Sequence, residues 1–449
     1  MGRLFGTDGI RGEANRYPMD ATTAFSLGQA ITYVLRKPGH TTRIIVGKDT
    51  RISGYMLESA LQSGITSMGG DPYLVGVLPT PGIAFITESM RADAGLVISA
   101  SHNPYQDNGI KVFSGNGSKL SDAQEEEIEE LMLGGTLPDR VPKPREMGRA
   151  YRLGDADGRY IVFLKNTFPR SLSLEGVKIA VDASEGATYR VAPEALTELG
   201  ADLTVIHDEP DGLNINRDCG SQHTADLRRA VLENGAAVGL AFDGDGDRLI
   251  AVDEKGAEIT GDQILIILAR QLKEEGKLKN DLLVTTVMSN LGLTLACKRY
   301  GFKHHASRVG DRYVLEDMRR LGAVIGGEDS GHMIFLEHHT TGDGILTALQ
   351  LLAAMLKTGQ PLSELATLME VFPQKLVNVD VSRKPDIATV PEIVAAIRRV
   401  EEELKDEGRV LVRYSGTQSM CRVMVEGPTE EATARYCDLV AGVVRDTIG

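Results

Sequence analysis

Short runs of β-branched and apolar residues alternate with helix-length stretches from about residue 20 to residue 356, and few folds accommodate that alternation. Residues 43–47, 72–77 and 94–98 read as strands. Helices are expected from an Asp20 cap to about Arg36, over 54–68 and up to Met90. Strands and helices spaced this way form a mostly parallel sheet with helices packed on it. In such sheets ligands bind where strands end. The strand at 94–98 ends in Ser99-Ala100-Ser101-His102-Asn103-Pro104, followed by a polar, turn-forming segment containing Asp107-Asn108-Gly109-Ile110-Lys111. A serine hydroxyl there needs a base, a metal or a lowered pKa to act as a nucleophile. The alternative is a strand end and Asn-Pro turn whose serines bond only to backbone.

The same layout recurs twice more. Strands expected at 177–182, 202–206 and 237–242 alternate with helices, and the last runs into Asp243-Gly244-Asp245-Gly246-Asp247-Arg248 before a return strand at 249–253. A further unit has strands at 282–287 and 323–326, the second leading into Gly327-Glu328-Asp329-Ser330-Gly331-His332, and a helix over 343–356. From about Val371 the order changes to strand, helix, strand, strand, helix. The expected architecture is α/β, with three similar mixed-sheet α/β domains (1–150, 151–254, 255–368) and a smaller α+β domain (369–449). Gly134-Gly135 and the Pro-rich stretch 137–144 read as a linker.

Charge and cysteine usage narrow the function. The net charge of −14 argues against a protein that binds nucleic acid by neutralising phosphates, so a phosphate ligand must be captured locally. No apolar run is long enough to span a bilayer, and the first residues lack a secretory h-region. Four cysteines without C-x-x-C spacing suit reduced thiols, and a cytoplasmic protein is expected.

Three carboxylates alternating with glycines can converge, because glycine lets the backbone curl. Two unit charges near 4 Å repel by roughly 4 kcal/mol at an effective dielectric of about 20, so clustering Asp243, Asp245 and Asp247 calls for a cation. Hard oxygen ligands suit Mg²⁺ or Ca²⁺. An EF-hand is the rival, since Asp243, Asp245, Asp247, Ile250 and Glu254 fall on its positions one, three, five, eight and twelve. Position six must be glycine and is Arg248, and the flanks are strand-like. A surface Asp/Gly turn without metal is the plainer alternative. Arg413-Tyr414-Ser415-Gly416-Thr417, with Arg422 beyond, offers fork donors and hydroxyls to a phosphate. Glu328, Ser330 and His332 suit sugar hydroxyls, although a polar turn would read the same way. The pairs His304-His305 and His338-His339, like the acidic run Glu125 to Glu127, read as structural or surface features. Serine, metal site, polyol loop and phosphate clamp, one per domain, imply phosphoryl transfer on a phosphorylated sugar.

These motifs, in this order and over essentially the whole chain, resemble the α-D-phosphohexomutases. Phe5-Gly6-Thr7-Asp8-Gly9-Ile10-Arg11-Gly12, the run 103–113 and the total length look most like the bacterial branch that interconverts glucosamine 6-phosphate and glucosamine 1-phosphate for cell-wall sugar nucleotides. The nearest relatives in motif act on mannose or glucose phosphates, and a Mg²⁺-dependent sugar phosphatase is the reading from another class.

The resemblance implies a central active-site cleft and a phosphorylated Ser101 whose phosphate, with Asp243, Asp245 and Asp247, holds one Mg²⁺. It implies glucosamine 1,6-bisphosphate as intermediate or activator, with Arg11, His102, Lys111 and Arg248 around the transferring phosphate. Lys111 is the candidate for handling the proton of the sugar hydroxyl, and His332 the second. Glu328 and Ser330 would bind sugar hydroxyls; Arg413, Ser415, Gly416, Thr417 and Arg422 would bind the phosphate not being transferred. Dimerisation through the first domain is the family's expectation. The phosphate loop departs from the family's usual Thr-Glu-Pro, reading Thr417-Gln418-Ser419, and loss of the proline predicts a looser loop.

Overall fold

The computed structural model describes residues 4–6, 8–415 and 419–449. Gly416 and Thr417 of the expected phosphate loop, with Gln418, lie outside the described residues. The described residues fall into two compact units. The larger comprises those up to Val287 together with His304–Ala366; the smaller comprises Met288–Lys303 together with those from Thr367 onward.

Three mixed sheets lie in the larger unit. The first has six strands, β1 (Ile10–Glu13), β2 (Arg43–Lys48), β3 (Asp71–Val77), β4 (Ala94–Ile98), β5 (Asp107–Ser114) and β6 (Tyr151–Arg152), in the order β1-β5-β4-β2-β3-β6. All five residues of β4 are buried, the continuous apolar run expected of a strand covered on both faces. Two helices, Ala21–Val34 and Ser53–Ser67, pack Leu27, Ile31, Leu57, Leu61 and Ile65 onto Ile44, Val46, Leu96 and Ile98. Where they cross, a methyl group on Gly64 would sit 2.1 Å from the Phe25 carbonyl oxygen, and one on Gly28 2.7 Å from that of Leu61. Any side chain at either position would push the helices apart.

The second sheet comprises β7 (Lys178–Asp182), β8 (Asp202–Ile206), β9 (Val238–Phe242), β10 (Leu249–Asp253) and β11 (Glu258–Ile259), ordered β11-β10-β9-β7-β8. The third comprises β12 (Leu282–Thr286), β13 (Lys303–Ser307), β14 (Ile325–Gly327) and β15 (Met333–Phe335), ordered β13-β12-β14-β15. In the smaller unit β16 (Gln374–Asp380), β17 (Arg409–Tyr414) and β18 (Met420–Glu426) form an antiparallel sheet ordered β16-β18-β17. Helices Pro391–Leu404 and Glu430–Ile448 bury Ile393, Val400, Val440 and Val444 against its Val379, Val423 and Val425.

Strands β6, β11, β13 and β15 lie where the sequence reading expects none, and two further differences bear on the site. Residues 107–114 form a strand, not a polar turn, antiparallel to β4 with Ile98 opposite Ile110. Asn108 and Lys111 are buried there, and such interior polar residues mask a strand's apolar signature. The Gly-rich opening loop includes β1, which pairs Arg11 with Gly109 of β5. Both differences bring polar residues to one place.

His339 is structural, as expected. Its buried ring presents Nε2 to the Pro81 carbonyl oxygen at 2.9 Å and accepts the Thr340 N–H at Nδ1 over 2.8 Å, so the neutral ring carries its proton on Nε2. Burial lowers its pKa from 6.5 to about 4, against the support of the Pro81 carbonyl. The unfolded chain therefore binds this proton first as pH falls, and stability is intact above pH 6.5 and lost between 6.5 and 4. Urea titrations are expected to show about 2 kcal/mol less stability at pH 5 than at pH 7.5 from this group. His339→Gln is expected to flatten that dependence; an unchanged pH slope would remove His339 as its source.

Candidate active site

Each of the three mixed sheets sends a central strand into a functional loop and brings the chain straight back as an antiparallel neighbour. The closing pairs are Ile98 with Ile110, Phe242 with Leu249, and Gly327 with Met333. The loops so formed carry Ser101, the three aspartates, and Glu328 to His332. The second and third are joined by backbone: Arg248 bridges His332, and the Leu249 N–H donates to the Gly331 carbonyl at 3.1 Å. The first and second are joined by side chains. Ser101 Oγ donates to Asp243 Oδ2 at 2.6 Å, and Lys111 Nζ donates to Asp245 Oδ2 at 2.8 Å.

Ser101 is 1% exposed and adopts φ +52°, a left-handed backbone that costs a non-glycine residue about 1–2 kcal/mol. Its Oγ also lies 3.3 Å from His102 Nδ1. Burial, then Arg248 and Arg11, lower the His102 pKa to about 4, so this ring is neutral at pH 7.

Asp243, Asp245 and Asp247 are all buried, and one oxygen of each lies within 4.8 Å of the others. Asp245 Oδ1 and Asp247 Oδ1 are buried with no hydrogen-bond partner. Burial and the neighbouring Asp247 and Asp245 raise the Asp243 pKa well above the carboxylate range. For Asp247, Lys111, His332 and Arg248 outweigh the burial and hold it well below that range. Crowded carboxylates with inward oxygens left over are the donor set of a hard divalent cation. The loop admits no bulk: a methyl group on Gly244 would sit 2.7 Å from both the Ser101 carbonyl oxygen and Asn216 Nδ2.

Lys111 is buried, yet Asp245, Asp8 and Asp247 outweigh the burial and hold it protonated, well above its usual value. Arg248 likewise stays charged, Asp247 and Asp243 overcoming its burial. Arg11 pairs with Asp8, and its Nε is buried without a partner. His332 is subject to opposed influences. Its Nε2 accepts the Gly342 N–H at 3.1 Å, which requires a neutral ring with its proton on Nδ1, toward Asp247. Burial opposes the charged form, but Asp247, Asp311 and Glu328 raise the pKa to about 9. Protonating Nε2 would cost the Gly342 bond. Glu328 Oε1 accepts the Gly310 N–H at 3.1 Å, and Ser330 Oγ is buried with no partner, a donor and acceptor left for a hydroxyl.

Arg413 and Arg422 belong to the smaller unit and sit directly opposite each other on β17 and β18. Both Nε atoms are buried and unpartnered. Burial and the adjacent Arg422 lower the Arg413 pKa, so the pair is destabilised as it stands and suits an anion. Ser415 closes the strand pair through its N–H to the Met420 carbonyl.

Sequence reasoning singled out neither Asp8, Lys119 and Asp311 nor Asp49, Arg51 and Asn216. Lys119 joins Asp8 at 2.7 Å and Asp311 at 2.8 Å beside Lys111. Asp49-Thr50-Arg51 follows β2, and its position at a strand end was the available signal. Asp182, His207 and Cys219 form a second close group. Both Asp182 oxygens already accept backbone N–H groups, from Ser184 and Gly220, and burial with Asp182 nearby pushes the Cys219 thiol up to about 12. That group ties loops together.

The chain matches four consecutive family models described as phosphoglucomutase/phosphomannomutase. Alpha/beta/alpha domain I covers residues 2–138, domain II 158–256, domain III 260–372 and the C-terminal domain 376–443. The chain belongs to this family, the α-D-phosphohexomutases, and is an isomerase that works by intramolecular phosphotransfer. Within it, the chain is 74% identical to the phosphoglucosamine mutase of Syntrophobacter fumaroxidans and 61% identical to that of Syntrophus aciditrophicus, each over 449 residues and the full length of both proteins. The fold is that of a phosphoglucomutase/phosphomannomutase family protein from Burkholderia thailandensis (TM-score 0.80, 23% identity, 98% of this chain and 97% of that one). It is also that of Aspergillus fumigatus N-acetylphosphoglucosamine mutase, solved in complex with GlcNAc-6P and magnesium (TM-score 0.65, 17% identity, 99% and 96%).

Proposed function

We infer that the chain interconverts glucosamine 6-phosphate and glucosamine 1-phosphate through a phosphoserine enzyme and a bisphosphate sugar. The observation that carries this reading is a buried serine hydroxyl, 2.6 Å from one of three clustered aspartates, in a chain 74% identical to a phosphoglucosamine mutase. Ser101 carries the phosphoryl group. Asp243, Asp245, Asp247 and an oxygen on Ser101 hold one Mg²⁺, which supplies positive charge to the phosphoryl oxygens when bound.

In the first half-reaction the sugar hydroxyl attacks the phosphorus on Ser101. The P–O bond to Ser101 breaks, one proton leaves the hydroxyl, and one is delivered to Ser101 Oγ. The sugar, now glucosamine 1,6-bisphosphate, reorients and returns its other phosphoryl group to Ser101. Arg11, His102, Lys111 and Arg248 surround the transferring phosphate. Lys111, whose Nζ lies 2.8 Å from Asp245 Oδ2, handles the proton of the sugar hydroxyl, with His332 as the second group for that role. Glu328 and Ser330 receive the sugar hydroxyls. Arg413 and Arg422, with Ser415, Gly416 and Thr417, bind the phosphate that stays. No helix among the described residues is long and apolar enough to cross a membrane. The four cysteines are buried thiols outside any disulfide, which fits a cytoplasmic enzyme. The first domain is the proposed homodimer face.

The test is kcat/KM with Mg²⁺ for the 6-phosphates of glucosamine, glucose and mannose at equal enzyme concentration. A strong preference for glucosamine is expected. Equal or better turnover of glucose or mannose phosphate would assign the chain to another branch of the family. Release of inorganic phosphate in place of isomerisation would make it a phosphatase.

A further inference from the structure

The backbone of Ser101 is pinned from both sides by residues that do not bond its hydroxyl. Arg51, completely buried, donates from Nε to Asp49 Oδ2 at 2.9 Å. One terminal nitrogen donates to the Pro104 carbonyl at 2.5 Å, and the other to the Ser101 and Asn103 carbonyls, each at 2.9 Å. Asn216, from the loop between β8 and β9, donates through Nδ2 to the same two carbonyls at 2.8 and 2.9 Å. The Ser101 and Asn103 carbonyl oxygens thus each accept two donors, one from the first sheet's loops and one from the second's. On the other side the Ser101 N–H donates to Ser99 Oγ at 2.9 Å, and Ser99 Oγ donates to Asp49 Oδ2 at 2.6 Å.

Peptide planarity gives this clamp a chemical consequence. The Ser101 carbonyl and the His102 N–H belong to one trans peptide unit and point in opposite directions, so holding the carbonyl aims the N–H. Among the described residues the His102 N–H donates to nothing. It is one bond along the chain from a strained serine whose Oγ lies against the acidic cluster. A nucleophile held at positive φ after a strand, with the next residue's N–H free, is a geometry that stabilises developing negative charge on the transferred group.

We propose that Arg51 and Asn216 are positioning residues for phosphoryl transfer, clamping the Ser101 and Asn103 carbonyls so that Ser101 keeps its left-handed backbone and the His102 N–H donates to the phosphoryl group carried by Ser101. The proposal rests on Ser101 being the phosphorylated residue. It predicts a loss in the chemical step with little change in sugar binding, because neither side chain bonds the groups assigned to the sugar.

Asn216→Gly removes the donor while tolerating the left-handed backbone of position 216, whose φ is +57°. Asn216→Asp keeps size and backbone preference but turns a carboxylate toward two carbonyl oxygens. Each full-length variant, checked for folding by circular dichroism, is phosphorylated with glucose 1,6-bisphosphate beside wild type, and the phosphoserine is observed by ³¹P NMR. For both, kcat is expected to fall roughly 10- to 100-fold with KM for the phosphosugar within about threefold, and the phosphoserine resonance to move. A folded variant with kcat within twofold of wild type and an unmoved resonance would overturn the clamp. A wild-type protein that takes up no phosphate on Ser101 would instead overturn the phosphoserine reading on which it stands.

Discussion

Replacing Ser101 with alanine is expected to lower kcat for phosphosugar isomerisation by on the order of 10⁴-fold or more, because the nucleophile has no substitute in the site. His102 is neutral but its Nδ1 faces Ser101 Oγ 3.3 Å away, and the remaining groups there are carboxylates and cations. The variant is expected to fold. Alanine does not relieve the left-handed backbone at φ +52°, so Ser101→Gly serves as a second form without that strain. Both should lose the mass of one phosphate after incubation with a hexose 1,6-bisphosphate. Activity within tenfold of wild type in either would remove Ser101 from the mechanism.

The second large effect concerns the acidic cluster, and its sign depends on magnesium. Asp243→Asn keeps the shape that accepts the Arg248 N–H and faces Ser101 Oγ. It removes one of three carboxyl groups crowded within 4.8 Å, the one whose ionisation burial and its neighbours oppose. Without Mg²⁺ the variant is expected to be more stable than wild type, by on the order of 1–3 kcal/mol, since a buried repulsion is relieved. With Mg²⁺ it is expected to be much less active, with affinity for the ion reduced at least about 100-fold and kcat at least about 1000-fold. Thermal unfolding with EDTA and with Mg²⁺, together with a Mg²⁺ titration of activity, measures both signs. An Asp243→Asn protein with wild-type Mg²⁺ dependence would exclude the cluster as the metal site. Wild type stripped by EDTA should resemble the variant in activity and recover on adding Mg²⁺.

Both predictions concern residues legible in the chain itself. Ser101 follows a fully apolar strand, and Asp243, Asp245 and Asp247 alternate with glycines, so local chemistry alone pointed to a hydroxyl and a cation site. Their meeting, through a 2.6 Å bond between residues far apart in sequence, followed from a fold class in which strand ends converge. The strands at 94–98, 178–182 and 238–242 were equally plain, since buried strands advertise themselves by continuous apolar runs. Residues 107–114 did not, because buried Asn108 and Lys111, on opposite faces of the strand, interrupt its apolar run. The strand is polar for the same reason that it is functional.

What the sequence by itself determined was therefore the three-fold recurrence of a strand running into a polar loop, the return strand at 249–253, the kinds of chemistry on those loops, and the arginine pair at 413 and 422. Each of these is written in residues adjacent along the chain, where periodicity and local charge act. Only the tertiary structure decided the protonation of Lys111, the opposed influences on His332 and the clamp of Arg51 and Asn216 on the Ser101 loop. A pKa depends on every charge within a few ångströms and on the burial around it, and a buried guanidinium finds its acceptors only after the chain has closed. Asp8, Asp245 and Asp247 reach Lys111 from two separate segments, and Asn216 reaches Ser101 from a different sheet. Those contacts exist because helices and sheets pack, and no local pattern encodes them.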